Sequence, residues 1–338
     1  MLDKDKCFII AEAGVNHNGD VNIAKQLIDE AVEAGVDAIK FQTFKAEKLV
    51  TKNAPKANYQ KNTTGEGNQL GMLKKLELSM EDHRVLKKYC SDKNIMFIST
   101  PFHKEAVDLL EDIEVPLYKI GSGDLTNIPL LRYVAKKNKP VILSTGMANL
   151  GEIEIAIEAI RNEGNNNITL LHCTSNYPTL YDNVNLNSMI TIRNAFNLPV
   201  GYSDHTIGIE VPIAAVAMGA MVIEKHFTLD NSMEGPDHRA SLEPEELKKM
   251  VTAIRNIEVA LGSYEKKCRD EEKNTKVVAR KSIVASKEIR KGEIITEDSM
   301  TCKRPETGLN PIYIDEILGR KVTEDILLDE QITFSKLK

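Results

Sequence analysis

The chain is predicted to form a (β/α)8 barrel followed by a small β-rich domain, and three observations carry that prediction. Eight short apolar runs recur through Phe227 at intervals of about 30 residues, close to the repeat of a barrel of about 250 residues. Each run is followed by a stretch with helical periodicity. Each also ends at or near a residue able to do chemistry, as expected of a fold whose active site lies where the strands end.

The runs are FIIAEAG (Phe8 to Gly14), DAIKFQT (Asp37 to Thr43), MFISTPF (Met96 to Phe102) and LYKIGSG (Leu117 to Gly123), then VILSTG (Val141 to Gly146), ITLLHCT (Ile168 to Thr174), VGYSDH (Val200 to His205) and MVIEKHF (Met221 to Phe227). They are rich in Ile, Val, Leu and Phe, as parallel strands covered on both faces must be. The first helix, Asp20 to Ala34, opens on a capping Asp and puts Ile23, Leu27, Ala31 and Ala34 on one face. Met80–Asp92, Lys104–Asp112, Pro129–Asn138, Glu152–Asn162, Asn185–Phe196, Ile209–Met218 and Pro244–Leu261 complete the set. The long polar insertion Lys45–Leu78 interrupts the economy of the repeat. It starts at the end of the second strand, where a lid or substrate wall is expected.

The domain boundaries follow from composition. Residues 1–262 make the barrel, the charged stretch 263–281 reads as a linker, and 282–338 breaks into short β-like pieces with tight turns. A module that small is near the lower limit of independent stability and is expected to pack against something, such as a second subunit.

With 42% hydrophobic and 28% charged residues, the composition is that of an ordinary globular protein. A formal charge of −6 argues against general nucleic-acid binding. No run is long enough to span a membrane, and a strand starting at Phe8 leaves no room for a cleavable leader. The five cysteines are odd in number and share no close spacing, which excludes a disulfide framework or a thiolate metal site and points to the cytoplasm.

His205 and His226 end strands seven and eight, neighbours in a closed barrel, so both imidazoles can meet one divalent cation. Two nitrogens without thiolate suit an exchangeable Mn²⁺ or Mg²⁺ better than structural zinc. Lys40 and Lys119 end strands two and four. An ammonium in a barrel mouth is costly unless it meets an anion, and Thr100, Ser122, Gly123, Ser144 and Thr145 add the small donors that wrap phosphate or carboxylate oxygens. Ser203, two residues before His205, points to the same rim. A Schiff-base lysine of an aldolase is the competing role for either lysine. Glu12 could orient hydroxyls or move a proton at an attacking water. His17 fits a turn former better than a ligand, His172 and His238 are ambiguous, Asp237 is the better candidate in its loop, and Arg304 stands out before a rigid proline.

Together the motifs resemble the sialic acid synthase family. AEAGVNHNGD, KFQTFKAEKLVT, STPF, YKIGSGD, STGM, HCTSNYPT, GYSDHT and EKHFTLD…GPDHRASLEP cover the barrel, and VARKSIVASKEIRKGEIIT…CKRPETG resembles the family's antifreeze-like (SAF) domain. The resemblance implies condensation of phosphoenolpyruvate with an N-acylated hexosamine to a nine-carbon 2-keto acid and phosphate. It also implies a domain-swapped homodimer and a divalent metal, Mn²⁺ first, with Mg²⁺ or Co²⁺ as alternatives. On matching positions His205 and His226 would ligate the metal and Glu12 would be the catalytic carboxylate. Lys40, Thr100, Lys119, Ser122, Ser144 and Ser203 would form the phosphoenolpyruvate pocket. Tyr177, Asp237 and, from a partner chain, Arg304 would contact the sugar. Ser175 and Asn176 before Tyr177, and Leu180 in place of a common proline, depart from the family's pattern in the loop that faces the sugar. The stretch NYPTLYDNVNLN favours N-acetylmannosamine as acceptor. The alternative is 2,4-diacetamido-2,4,6-trideoxymannose, giving N,N'-diacetyllegionaminate, and pseudaminate synthesis is more distant. A non-catalytic sugar- or ice-binding role leaves the paired His and Lys at strand ends without a purpose.

Overall fold

Alternation along eight parallel strands builds both the floor of the barrel and its rim. The computed structural model describes residues 6–338; residues 1–5, on which the leader expectation partly rests, lie outside the described residues. The strands are β1 Phe8–Gly14, β2 Ala38–Thr43, β3 Met96–Pro101, β4 Tyr118–Ile120, β5 Val141–Ser144, β6 Ile168–Cys173, β7 Val200–Asp204 and β8 Val222–His226. They pair in the order β3-β2-β1-β8-β7-β6-β5-β4, all parallel, so β1 and β8 are joined as a closed barrel requires. At the remaining seam β3 and β4 lie side by side with no ladder recorded between them. This is the predicted (β/α)8 barrel.

The eight helices between and after the strands lie within two residues of the predicted boundaries at their starts and three at their ends, from Val21–Ala34 to Pro244–Leu261. Pro244 occupies the first turn of its helix, where a missing N–H costs nothing. Outward side chains such as Ile9, Ile39, Phe97 and Leu143 pack on these helices in the main core. Inward, Ile10, Ala38, Ile98, Leu117, Ile142, Leu171 and Val222 form a separate buried apolar layer. Each Ile, Leu or Val side chain of this layer contributes roughly 1.5–3 kcal/mol by leaving water. Gly201 completes this layer on β7, because a Cβ there would lie 2.3 Å from the Val222 carbonyl oxygen.

The insertion after β2 is folded. It holds the short helices Ala46–Leu49, Asn58–Thr64 and Gln69–Lys74, and Met72, Leu73 and Leu76 bury themselves with Val15, Phe44 and Ala46 in a small core of their own.

The second unit, Ser263–Lys338, is compact in itself. Its strands β9 Ser282–Ala285 and β10 Met300–Lys303 pair antiparallel, and Ile283, Ile289, Ile295, Ile317, Val322, Ile326 and Ile332 form its core. The charged stretch at its start, 263–281, contains the helix Glu272–Ala279. No described helix is long and apolar enough to cross a membrane.

Three histidines outside the barrel rim are structural. His172 Nε2 meets the Val184 carbonyl at 2.8 Å. His238 bridges Thr228 Oγ1 at 2.6 Å and Asn18 Oδ1 at 3.2 Å, tying the loop after β8 to the loop after β1. His17 caps its own turn, accepting from Gly19 N at 3.0 Å. Burial pushes the His17 and His238 imidazoles from 6.5 down to about 4. The folded chain therefore binds these protons more weakly than the unfolded chain, and the associated stability is present above pH 6.5 and lost as pH falls through about 4. Tm measured over that interval is expected to fall, and to fall less steeply in a His238→Asn variant; parallel pH profiles would contradict this assignment.

Candidate active site at the strand ends

Two residues beyond the apolar floor, each strand presents its next inward side chain, and these are polar or ionisable: Glu12, Lys40, Thr100, Lys119, Ser144, Cys173, Ser203 and Glu224. Register places Glu12 beside Lys40 on one side and His226 on the other, and Ser203 beside Glu224. Strand geometry alone thus gathers residues more than two hundred positions apart.

The lysines meet anions that the chain itself supplies. Lys40 Nζ lies 2.6 Å from Glu12 Oε2 and 3.7 Å from Glu224 Oε2, and Lys119 Nζ lies 3.3 Å from Glu224 Oε1. Hydroxyls complete the shell: Lys40 donates to Thr100 at 3.2 Å, Lys119 to Ser144 at 2.8 Å, and Ser203 to Glu224 at 3.0 Å. Glu12, Lys40, Lys119 and Glu224 are 1, 3, 2 and 4% exposed, too enclosed for water to solvate them, so each charge depends on the others. Burial lifts the Glu12 carboxyl to about 7, with Lys40 opposing and the like charge of Glu224 assisting. Glu224 moves the other way: burial is outweighed by Lys119 and Lys40, and its carboxyl stays ionised. Two carboxylates in one cluster are thereby driven apart in proton affinity, an arrangement suited to proton transfer.

His205 and His226 stand side by side, ring centroids 5.6 Å apart. His205 Nδ1 is 2.6 Å from the Thr174 carbonyl, which can only accept, so that nitrogen carries the proton and Nε2 keeps its lone pair. His226 Nδ1 is buried without a hydrogen-bond partner. Burial lowers both imidazoles, keeping them neutral. Among the described residues no group of three or more His, Cys, Asp or Glu forms a metal cage. The donor set therefore fits a divalent cation completed by water or substrate oxygens, and the orphaned His226 nitrogen is the observation that favours it.

Gly14, with φ +52°, keeps this corner open, since a Cβ would lie 3.2 Å from Glu12 Oε1 and 3.5 Å from His226 Cε1. Behind the histidines, on the outward face, Lys225 and Asp204 pair at 2.5 Å with both side chains fully buried. They brace the two strand ends and do not enter the site.

Tyr177 joins the cluster, its ring centroid 4.1 Å from His205 and 5.5 Å from His226. Asp237 is buried, which raises its carboxyl to about 6. Ser122 Oγ accepts from Gly146 N at 3.0 Å and lies 3.1 Å from Cys173 Sγ. Arg304 stands exposed on the second unit. Cys173, and two residues that contact the charged cluster, escaped the sequence reading. Glu224 precedes His226 by two, and Gln42 follows Lys40 by two and donates to Glu12 at 3.3 Å. Period-two alternation, run backward from His226 and forward from Lys40, would have found both.

The family model described as the NeuB family matches residues 27–266, and the SAF domain model matches residues 280–338. N,N'-diacetyllegionaminic acid synthase of Campylobacter jejuni is 52% identical over 97% of this chain and 99% of that protein. The enzyme of the same name from Legionella pneumophila is 49% identical over 95% of this chain and 91% of its own length. A solved N-acetylneuraminic acid (sialic acid) synthetase from Leptospira borgpetersenii is 38% identical, with a TM-score of 0.72 over 80% of this chain and 90% of that one. The chain belongs to the NeuB family of synthases, enzymes of the transferase class that use phosphoenolpyruvate.

Neutralising Glu224 leaves two buried ammonium groups facing one carboxyl. Glu224→Gln is expected to lose roughly 3–5 kcal/mol in urea unfolding, the usual loss when one partner of a buried pair is removed. Stability equal to the wild type would mean that the pairs are not formed.

Proposed function

We propose that this chain is an N,N'-diacetyllegionaminate synthase, joining phosphoenolpyruvate, water and 2,4-diacetamido-2,4,6-trideoxymannose into a nine-carbon 2-keto sugar acid and phosphate. The observation that carries the acceptor assignment is identity of 52% and 49% along almost the whole chain to two synthases of that name, against 38% to a sialic acid synthetase. It favours this acceptor over the N-acetylmannosamine expected from NYPTLYDNVNLN. The two acceptors differ by one acetamido group and one missing hydroxyl, a difference too small for a loop motif to report.

In this account Lys119 with Ser144, and Lys40 with Thr100, hold the phosphate and carboxylate of phosphoenolpyruvate, while Ser122 and Ser203 orient neighbouring groups. Because Glu12 and Glu224 already neutralise both lysines, the donor binds by sharing or displacing carboxylates, and does not enter a bare positive pocket. His205 and His226 would hold the divalent ion, Mn²⁺ first, with Mg²⁺ or Co²⁺ as alternatives; when bound it supplies Lewis-acid polarisation of the sugar aldehyde. The enol carbon of phosphoenolpyruvate forms the new bond to the aldehyde carbon as its C=C bond opens, and the alkoxide takes the proton carried by Glu12. Water then adds to the carbon bearing phosphate, returning one proton to Glu12, and the tetrahedral adduct expels phosphate by breaking its C–O bond while the hydroxyl proton leaves with the phosphate and the keto C=O forms. Tyr177 and Asp237 face the sugar. A domain-swapped homodimer would bring Arg304 of one chain to the other's barrel mouth, and the cytoplasm is the matching compartment.

Phosphate release is expected only with both substrates and metal, with kcat/KM for the diacetamido sugar at least about tenfold above N-acetylmannosamine, a difference of about 1.4 kcal/mol. A saturating chelator should stop release and added Mn²⁺ should restore it. Label in the bridging oxygen should leave with phosphate. A reversed acceptor preference would make the chain a sialate synthase, and label retained in the keto acid would refute the C–O cleavage route.

A further inference from the structure

The insertion after β2 sends one side chain over the site that the reaction above does not use. Tyr59, on the helix Asn58–Thr64, packs on Tyr177 with ring centroids 5.2 Å apart, and Tyr177 in turn lies 4.1 Å from His205. An aromatic stack therefore runs from the insertion to the paired imidazoles. Tyr59 is partly buried, and the charge of Asp237 reaches its hydroxyl as it reaches that of Tyr177. Its oxygen accepts from Gln60 at 3.4 Å, and among the described residues no acceptor is recorded for its own O–H.

The helix that carries it is held in place by unusual means. A helix of seven residues is marginal alone. Its start is closed by Ala57 N donating to Gln60 Oε1 at 3.0 Å. Its end is closed by Lys56, whose buried ammonium donates to Thr64 Oγ1 and the Gly65 carbonyl, both at 2.9 Å, and to the carbonyls of Thr64 and Glu66 at 3.3 Å. No described carboxylate pairs with Lys56, so its charge is balanced by the carbonyl end of the helix dipole. On the far flank a pocket of about 510 Å³, lined by Lys56, Thr64, Glu66, Asn18, Gly235 and Pro236, separates this helix from the loop that carries Asp237. The helix is thus anchored from within while space remains beside it.

We propose that Tyr59 is a specificity-determining residue that roofs the acceptor pocket and favours sugars with a methyl-bearing face, and that Lys56 is its positioning residue. This rests on the acceptor assignment above. The trideoxy sugar carries methyl groups at C6 and on both acetamido groups, whereas N-acetylmannosamine has one acetyl methyl and a hydroxymethyl. A flat aromatic ring gains contact from the first and little from the second.

The test is steady-state phosphate release by the full chain with both sugars, comparing wild type, Tyr59→Ala, Tyr59→Phe and Lys56→Met, with circular dichroism confirming the fold. Tyr59→Ala is expected to raise KM for the diacetamido sugar about tenfold and to narrow the preference over N-acetylmannosamine, with KM for phosphoenolpyruvate unchanged. Tyr59→Phe should restore the preference, and Lys56→Met should shift it in the same direction as Tyr59→Ala. Because the chain has no tryptophan, quenching of tyrosine fluorescence by the sugar alone gives a binding readout independent of turnover. Wild-type KM values for both sugars in Tyr59→Ala, or an equal rise for phosphoenolpyruvate, would overturn the proposal. If Tyr59→Ala fails to fold, the same outcomes are read from Tyr59→Leu, which keeps apolar bulk without a flat ring. A wild type that releases phosphate with neither sugar overturns the acceptor assignment and the proposal together. A wild type that prefers N-acetylmannosamine overturns the assignment alone if Tyr59→Ala still raises KM more for the diacetamido sugar than for N-acetylmannosamine, and overturns both if it does not.

Discussion

Four charges that cannot reach water set the terms for this molecule. Lys40, Lys119, Glu12 and Glu224 sit on four different strands, and none is tolerable in the barrel without the others. Their positions demand that β1, β2, β4 and β8 keep one register, because a slip of one residue would turn every one of these side chains into the helix layer. The apolar floor beneath them fixes that register, with Ile10, Ala38, Leu117 and Val222 each two residues ahead of its charged neighbour. Stability and chemistry are therefore written on the same strand faces, one layer apart.

Division between faces explains why neighbouring residues behave so differently. Lys225 is as buried as Lys40, yet it points outward and is satisfied by Asp204 on the adjacent strand. His172 lies on β6 near the rim but spends its ring nitrogen on the Val184 carbonyl. Parity along the strand decides whether an ion pair faces the helices or the barrel mouth, and residue type does not.

The fold and most of the rim were legible because barrel strands announce themselves as apolar runs and their ends carry the polar exceptions. Glu12, Lys40, Lys119, His205 and His226 were each visible as such an exception. Glu224 lies inside MVIEKHF, where a single carboxylate within an apolar strand carries no signal beyond its alternation with His226. Gln42 was hidden the same way behind Lys40. Tyr59 had no local signal at all, since its role depends on the insertion folding back over the barrel, a long-range contact with no period. The pairing of both lysines with internal carboxylates was equally invisible, because spacing tells which residues converge and says nothing of which neutralise each other.

Lys40 and Lys119 are proposed as the seat of an anionic donor despite being paired already. Isothermal titration calorimetry of phosphoenolpyruvate into the full chain, without sugar, tests this most directly. Binding by the wild type that weakens at least about tenfold in Lys40→Met and in Lys119→Met is the predicted result, the loss of one charged hydrogen bond in each. Undiminished binding in both variants, each folded by circular dichroism, would contradict it and move the donor to another part of the rim.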